Sequence, residues 1–296
     1  MPRTRSNAKN ALVAPPAAVQ WTPEQLSLTL GSLIDPNCIQ QGETALKPFL
    51  KHPGCIPQLL TQVTQNPDKN VRHQASLLIR KKVSKFYIHY TVPEQNHIKT
   101  TILQCLTTEP ERNVAQAIAG CVTELASCVF GNKSATKSWD ELFQSLITLS
   151  QDQNPTLRST NFLLIEHLME DQTVAEFMRP HLQTLSALVA GGFNDNDIKV
   201  KQQAMIAFVA LVISNVERDE VMQLESLIPQ LLSTMSICLE NDEQETVAQA
   251  LEVIQECATT KQPLINNHLD IIIPLLVRII ENTSAEYDSV LTRSAT

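Results

Sequence analysis

The chain has 296 residues, 43% of them apolar and only 4% aromatic, with 7 Gly against 16 Pro; that suffices for a large core and favours helices packed on helices over sheets. The formal net charge of −8 is unevenly placed: residues 1–100 hold 12 Lys/Arg and 5 Asp/Glu, and residues 101–296 hold 11 and 26. So acidic a remainder disfavours direct nucleic-acid binding, and apolar runs such as Ile271–Ile273 before Pro274 fall far short of the roughly 20 residues needed for membrane insertion.

Residues 1–20 carry Arg3, Arg5 and Lys9, no acid, and Ala14-Pro15-Pro16-Ala17, which predicts a disordered basic extension. The acid-poor character is shared with mitochondrial presequences, but the prolines spoil an amphipathic helix. Beyond it, breaker clusters alternate with apolar helical stretches: Asp35-Pro36, Asn66-Pro67-Asp68, Glu109-Pro110, Asn154-Pro155, Asn194–Asp197, Asn241-Asp242 and Asn282-Thr283. Their first members lie 31, 43, 45, 40, 47 and 41 residues apart, against about 40–47 for HEAT repeats. Helices are expected to enter these turns at Ile56–Val63, Ile98–Leu106, Leu142–Leu149, Leu182–Val189, Leu227–Leu239 and Ile271–Ile280. Those leaving them show the 3.6-residue period, as in Val71, Ala75, Leu78, Ile79 and Val83, or Val200, Ala204, Ala207, Phe208 and Leu211. The pattern predicts an all-α fold, a right-handed superhelical HEAT-repeat solenoid of about six to seven antiparallel helix pairs. Second helices are expected to line its concave face and first helices its outer face.

Asp and Asn suit helix N-caps, and Pro suits the first turn. The i,i+4 pairs Asp68–Arg72, Asn154–Arg158 and Asp197–Lys201 are expected to stabilise first turns and to form a ladder between repeats. The cysteines are odd in number and form no C-x-x-C pair, which points to buried free thiols. No phosphate-loop, zinc-protease or nucleophile-elbow motif occurs, so neither enzyme activity nor a metal or cofactor is expected. Glu166-His167-Leu168-Met169-Glu170 reads as a solvated helix face.

Two charged faces are binding candidates. In helical projection Arg80 lies beside His73, Leu77 and Ser84, opposite the Val71/Ala75/Ile79 stripe, with Arg72 and Lys81 adding charge. Lys82 falls in the apolar arc and must snorkel. Glu245, Gln249, Glu252 and Glu256 share another face, away from Val247, Leu251 and Ile254; either solubility or attraction of a basic partner accounts for it.

The stretches GETALKPFLKHPGCIPQLL, NPDKNVRHQASLLIRKKVSKFY and VPEQNHIKTTILQCL resemble, in that order, the N-terminal domain of importin beta (karyopherin) superfamily nuclear transport receptors. Lys137–Leu142 similarly resembles a family helix start. The resemblance implies a basic extension over 1–20, an importin-beta N-terminal-like domain over 21–110 and further HEAT repeats over 111–296, the last one truncated. It implies Ran-GTP binding through Arg72, His73, Leu77, Arg80, Lys81 and Ser84, and Phe-Gly nucleoporin binding between outer helices around residues 173–240. The chain looks most like the branch importing histones and ribosomal proteins, so basic cargo is expected at Glu245, Glu252 and Glu256, with shuttling between cytoplasm and nucleus. Receptors of this family are much longer, and a fragment is therefore expected. The repeats alone leave a HEAT scaffold without transport function as the alternative.

Overall fold

The computed structural model describes residues 21–131, 138–215, 219–241, 243–259 and 263–294; the extension expected over 1–20 lies outside them. Among the described residues every regular element is helical. In chain order α1 (Pro23–Ser32) pairs with α2 (Ile39–Phe49), α3 (Cys55–Gln65) with α4 (Lys69–Phe86), and α5 (Val92–Thr108) with α6 (Arg112–Phe130). Next, α7 (Asp140–Ser150) pairs with α8 (Pro155–Glu170), a short α9 (Gln172–Met178) intervenes, and α10 (Leu182–Phe193) pairs with α11 (Ile198–Asn215). Then α12 (Ile228–Glu240) pairs with α13 (Gln244–Thr259), and α14 (Leu269–Ser294) follows.

The second helices α4, α6, α8, α11 and α13 stack on one another in chain order, and the first helices form a parallel layer. Packing within the second-helix layer is much the more extensive. The stack therefore closes up on that side, and the solvent-facing edge of the second helices is its inner surface. One continuous core runs from Leu26 to Leu275. This is the HEAT-repeat solenoid that the periodicity predicts.

The turns repeat with fixed chemistry. Asp68, Glu111, Asn154 and Asp197 hold the N-cap positions of α4, α6, α8 and α11 at a constant spacing of 43 residues, the HEAT interval rather than the 34 of tetratricopeptide repeats. Two residues before each stand Asn66, Glu109, Asp152 and Asp195. Their side-chain oxygens accept from the N-cap N–H at 2.9, 3.1, 2.7 and 2.8 Å. Asp68, Asn154 and Asp197 in turn accept from the helix N–H two residues on, at 2.8, 3.0 and 2.8 Å. The next unit is longer: Glu243 takes the N-cap position of α13, with Val247 N–H donating to its carbonyl at 3.1 Å.

Those capping duties correct one expectation. The bases do not pair with the acid or amide four residues before them, because that side chain accepts from helix N–H groups. Arg72 instead grips Glu109 of the following turn with two 2.8 Å bonds, while its remaining nitrogen donates to the Asn66 and Pro67 carbonyls at 3.1 and 3.0 Å. Arg158 does the same to Asp195 at 2.7 and 2.8 Å and to the Asp152 and Gln153 carbonyls at 2.8 and 3.2 Å. The ladder between repeats is real, and it is a tertiary contact. At the equivalent positions Ala115 has no such group, and Lys201 makes one bond, to the Phe193 carbonyl at 2.6 Å.

Further differences have local causes. The turn expected at Asn282-Thr283 lies inside α14; neither residue is a strong breaker, and no Gly or Pro stands near enough to end the helix. The short α9 was not anticipated. Asp171 starts it by accepting from Thr173 and Val174 N–H at 2.9 and 3.3 Å. Of the free cysteines, Cys38 is half-buried and the other six are buried; burial pushes the thiols of Cys55, Cys121 and Cys257 up to about 12. Finally, α6 is long and apolar enough, by length and composition, to cross a membrane. Here it is a core helix, packed between α4 and α8.

Candidate binding face on the second helices

The α4 face is set by its N-cap and by the packing of Val71, Ala75, Ile79 and Val83, all buried. Opposite that stripe, Leu77 is 38% exposed and Arg80 and Lys81 are exposed, while His73 and Ser84 are half-buried. The two bases diverge. The Arg80 side chain runs over Gly120 of α6, where a Cβ would come within 3.0 Å of its Cδ. Lys81 faces the other way, toward α2. Arg72 does not join them: its guanidinium is occupied by Glu109, and the pair is largely buried, with side-chain exposures of 14% and 4%. Its assignment to a partner-binding face is replaced by a structural one. Lys82 is half-buried, as snorkelling requires.

With the N-caps as register, the inner face reads as columns running across the repeats. One column is Leu77, Gly120, Leu163, Ile206 and Glu252. The next is Arg80, Thr123, Glu166, Val209 and Gln255, and a third is Lys81, Glu124, His167, Ala210 and Glu256. The bases at the α4 end thus give way to carboxylates on α6, α8 and α13, with an apolar step on α11. The two faces read separately from the sequence are opposite ends of one surface.

Its acidic part is a groove of about 580 Å³ between α8, α9, α11 and α13. Glu166, Glu170, Glu176 and Glu252 rim it, Ile206, Val209 and Ile213 supply apolar walls, and Arg179 is ion-paired to Glu176. Glu252 is exposed and Glu256 half-buried; the side chains of Glu245 and Gln249 lie outside the described residues. Glu166 and His167 are half-buried, so only Glu170 fits the solvated face expected there. Burial, then the nearby Glu170, pushes the Glu166 carboxyl up to about 7, against a 2.7 Å bond from Gln203 of α11. Burial likewise lowers the His167 imidazole, with Arg80 adding to the effect and Glu170 opposing it. Sequence reading missed Glu166 as a groove residue. The repeat register, which sets it level with Arg80, was the signal that could have found it. Among the described residues no group of three His, Cys, Asp or Glu could hold a metal ion.

Residues 42–108 match the family model described as the importin-beta N-terminal domain, and residues 110–275 match the one described as IPO5-like, TPR repeats. The chain belongs to the importin beta family, in its importin-5-like group. An importin-5 homologue of Dictyostelium discoideum is 24% identical over 189 residues, covering 64% of this chain and 17% of that protein. The solved structure of Kap121p bound to RanGTP superposes with a TM-score of 0.71 at 21% identity, over 88% of this chain and 24% of Kap121p. Kap121p bound to Nup53p gives 0.72 at 20%, over 89% and 25%. This importin-family chain thus spans a quarter or less of the length of these relatives. They are transport receptors, a non-enzymatic class.

Proposed function

We propose that the chain acts as the N-terminal arm of a nuclear import receptor, shuttling between cytoplasm and nucleus, with Ran-GTP on the basic end of its inner face and basic cargo on the acidic end. The observation that carries this is the polarity of a single surface, from Arg80 and Lys81 on α4 to Glu166, Glu170 and Glu252 around the groove. An acidic GTPase surface complements the first end, and Lys/Arg-rich segments, such as those of histones or ribosomal proteins, complement the second. That Kap121p has been solved with RanGTP supports the reading. His73, Leu77, Arg80, Lys81 and Ser84 form the GTPase face; Arg72 holds its helix in place from behind. Two ligands that bind one receptor with opposed preference displace one another by linkage, so nuclear Ran-GTP would release cargo. For Phe-Gly nucleoporins, a groove of about 610 Å³ between α10 and the 3-10 segment Asp219–Leu227 that leads into α12 offers small residues such as Ala187 and Ala190, within the expected 173–240 region.

The test is capture by immobilised Ran in its GTP-locked and GDP-loaded forms. Binding should favour the GTP form and fall about tenfold or more in Arg80→Glu/Lys81→Glu with helicity unchanged. Equal binding of the two nucleotide states would end the transport reading in favour of a HEAT scaffold.

A further inference from the structure

A second groove, of about 630 Å³, lies between α2 and α4. Leu33, Leu46, Leu50 and Leu78, with the 39%-exposed Ile39, make its floor. Its rim carries Lys47 at the end of α2, Lys51 in the turn after it, and Lys81, Lys82 and Lys85 from α4, against a single carboxylate, Glu43. None of these five ammonium groups takes part in an ion pair among the described residues. Elsewhere some bases are paired across repeats, as Lys69 is with Glu111 at 3.2 Å and Arg278 with Glu240 at 3.1 Å. Five like charges held around an apolar trough repel one another, and among the described residues only Glu43 on the rim and the Phe86 ring, 5.3 Å from the Lys85 ammonium, offset them.

We propose that this groove docks an acidic amphipathic helical segment of a partner protein. Such a helix presents apolar anchors three and four residues apart, which the leucine floor accepts, and flanks them with Asp and Glu, which the rim requires. No aromatic ring lines the groove, so unpaired nucleic-acid bases would find no stacking platform. The surface is concave rather than a protruding amphipathic face, which is the wrong shape for lying on a membrane. The groove adjoins the proposed GTPase face and shares Lys81 with it, but Arg80 belongs to that face alone and Lys47, Lys51 and Lys85 to the groove alone.

The test uses the full chain and a labelled peptide of about 14 residues, rich in Glu, with Leu at i, i+4 and i+7. A scrambled peptide of the same composition is the control, and fluorescence anisotropy is the readout. Binding should favour the amphipathic peptide by about tenfold and fall by a similar factor in Lys47→Glu/Lys85→Glu. Ile39→Gln, at an exposed floor position, should weaken it about threefold with unchanged circular dichroism. Arg80→Glu should leave it unaltered, which separates this site from the Ran-GTP reading. Equal affinity for the two peptides, indifference to the double charge reversal, or tighter binding to anionic vesicles or oligouridine would each overturn the proposal.

Discussion

The junction after α8 and the junction after α11 place a base at the same helix position and use it differently. Arg158 closes its own turn through two carbonyls and grips Asp195 of the next repeat. Lys201 closes its own turn through Phe193, and the residue that stands where Asp195 would is Asn241, bonded to its own helix at Ile237. Among the described residues the polar links across that second junction are uncharged donors, Gln202 to Glu243 at 3.1 Å and the Thr234 hydroxyl to the Phe193 carbonyl at 3.4 Å. The backbone repeats, while the electrostatic coupling between repeats does not. A planar guanidinium with five donors can bind two turns at once, and an ammonium serves one. The joint after α11 should therefore bend more readily than the one after α8.

Removing the guanidinium is the strongest way to break that comparison. Arg158→Ala leaves Asp195 partly buried without its cation and should cost about 3 kcal/mol, against less than about 1 kcal/mol for Lys201→Ala. Urea midpoints at unchanged slope would measure both, and equal losses would abolish the distinction. Acid gives the same contrast a sign. Burial pushes the Asp195 carboxyl up, but the Arg158 bonds and the Asp197 N–H outweigh it and hold it below its ordinary value of 3.8. The stability it contributes is present above that value and lost as pH falls through the folded one. The gap between the parent and Arg158→Ala should accordingly narrow below about pH 4.

Glu166 should behave oppositely, since its folded value near 7 lies above the ordinary 4.5. Its stabilising contribution is full below 4.5 and disappears as pH rises through about 7. Glu166→Gln should gain about 1–2 kcal/mol at pH 8, discounted for its solvent contact, and nothing at pH 4. A gain independent of pH would disprove burial of the charge as its cause. The smallest effect should come from completing the missing rung. Lys201→Arg combined with Asn241→Asp should add about 0.5–1 kcal/mol, more than the two changes made singly, in a double-mutant cycle.

What could be read before the fold was known follows from which interactions are local. The turn-forming bonds accepted by Asn66, Asp68, Asn154 and Asp197 come from N–H groups two residues on, so the turns, the period and most helices were legible. The partner of Arg72 was not, because Glu109 lies 37 residues away and a nearer acid, Asp68, offered a plausible spacing. Glu166 failed for a related reason. Helical projection separates core from non-core, but it cannot say whether the non-core side meets water or the Gln203 amide of a neighbouring repeat. The Asn282-Thr283 turn failed because neither residue forces a helix to end, and α14 runs through both.

The burial of α6 on both flanks bears on how the chain is made. When Phe130 leaves the ribosome, α4 already exists to cover one side of that apolar helix, but the other side waits for Glu170, the last residue of α8. At about 5–20 residues per second, the interval is roughly 2–8 seconds. For that time the nascent chain carries an uncovered stripe hydrophobic enough to pass for a membrane segment, and it is the stretch a chaperone would have most reason to hold.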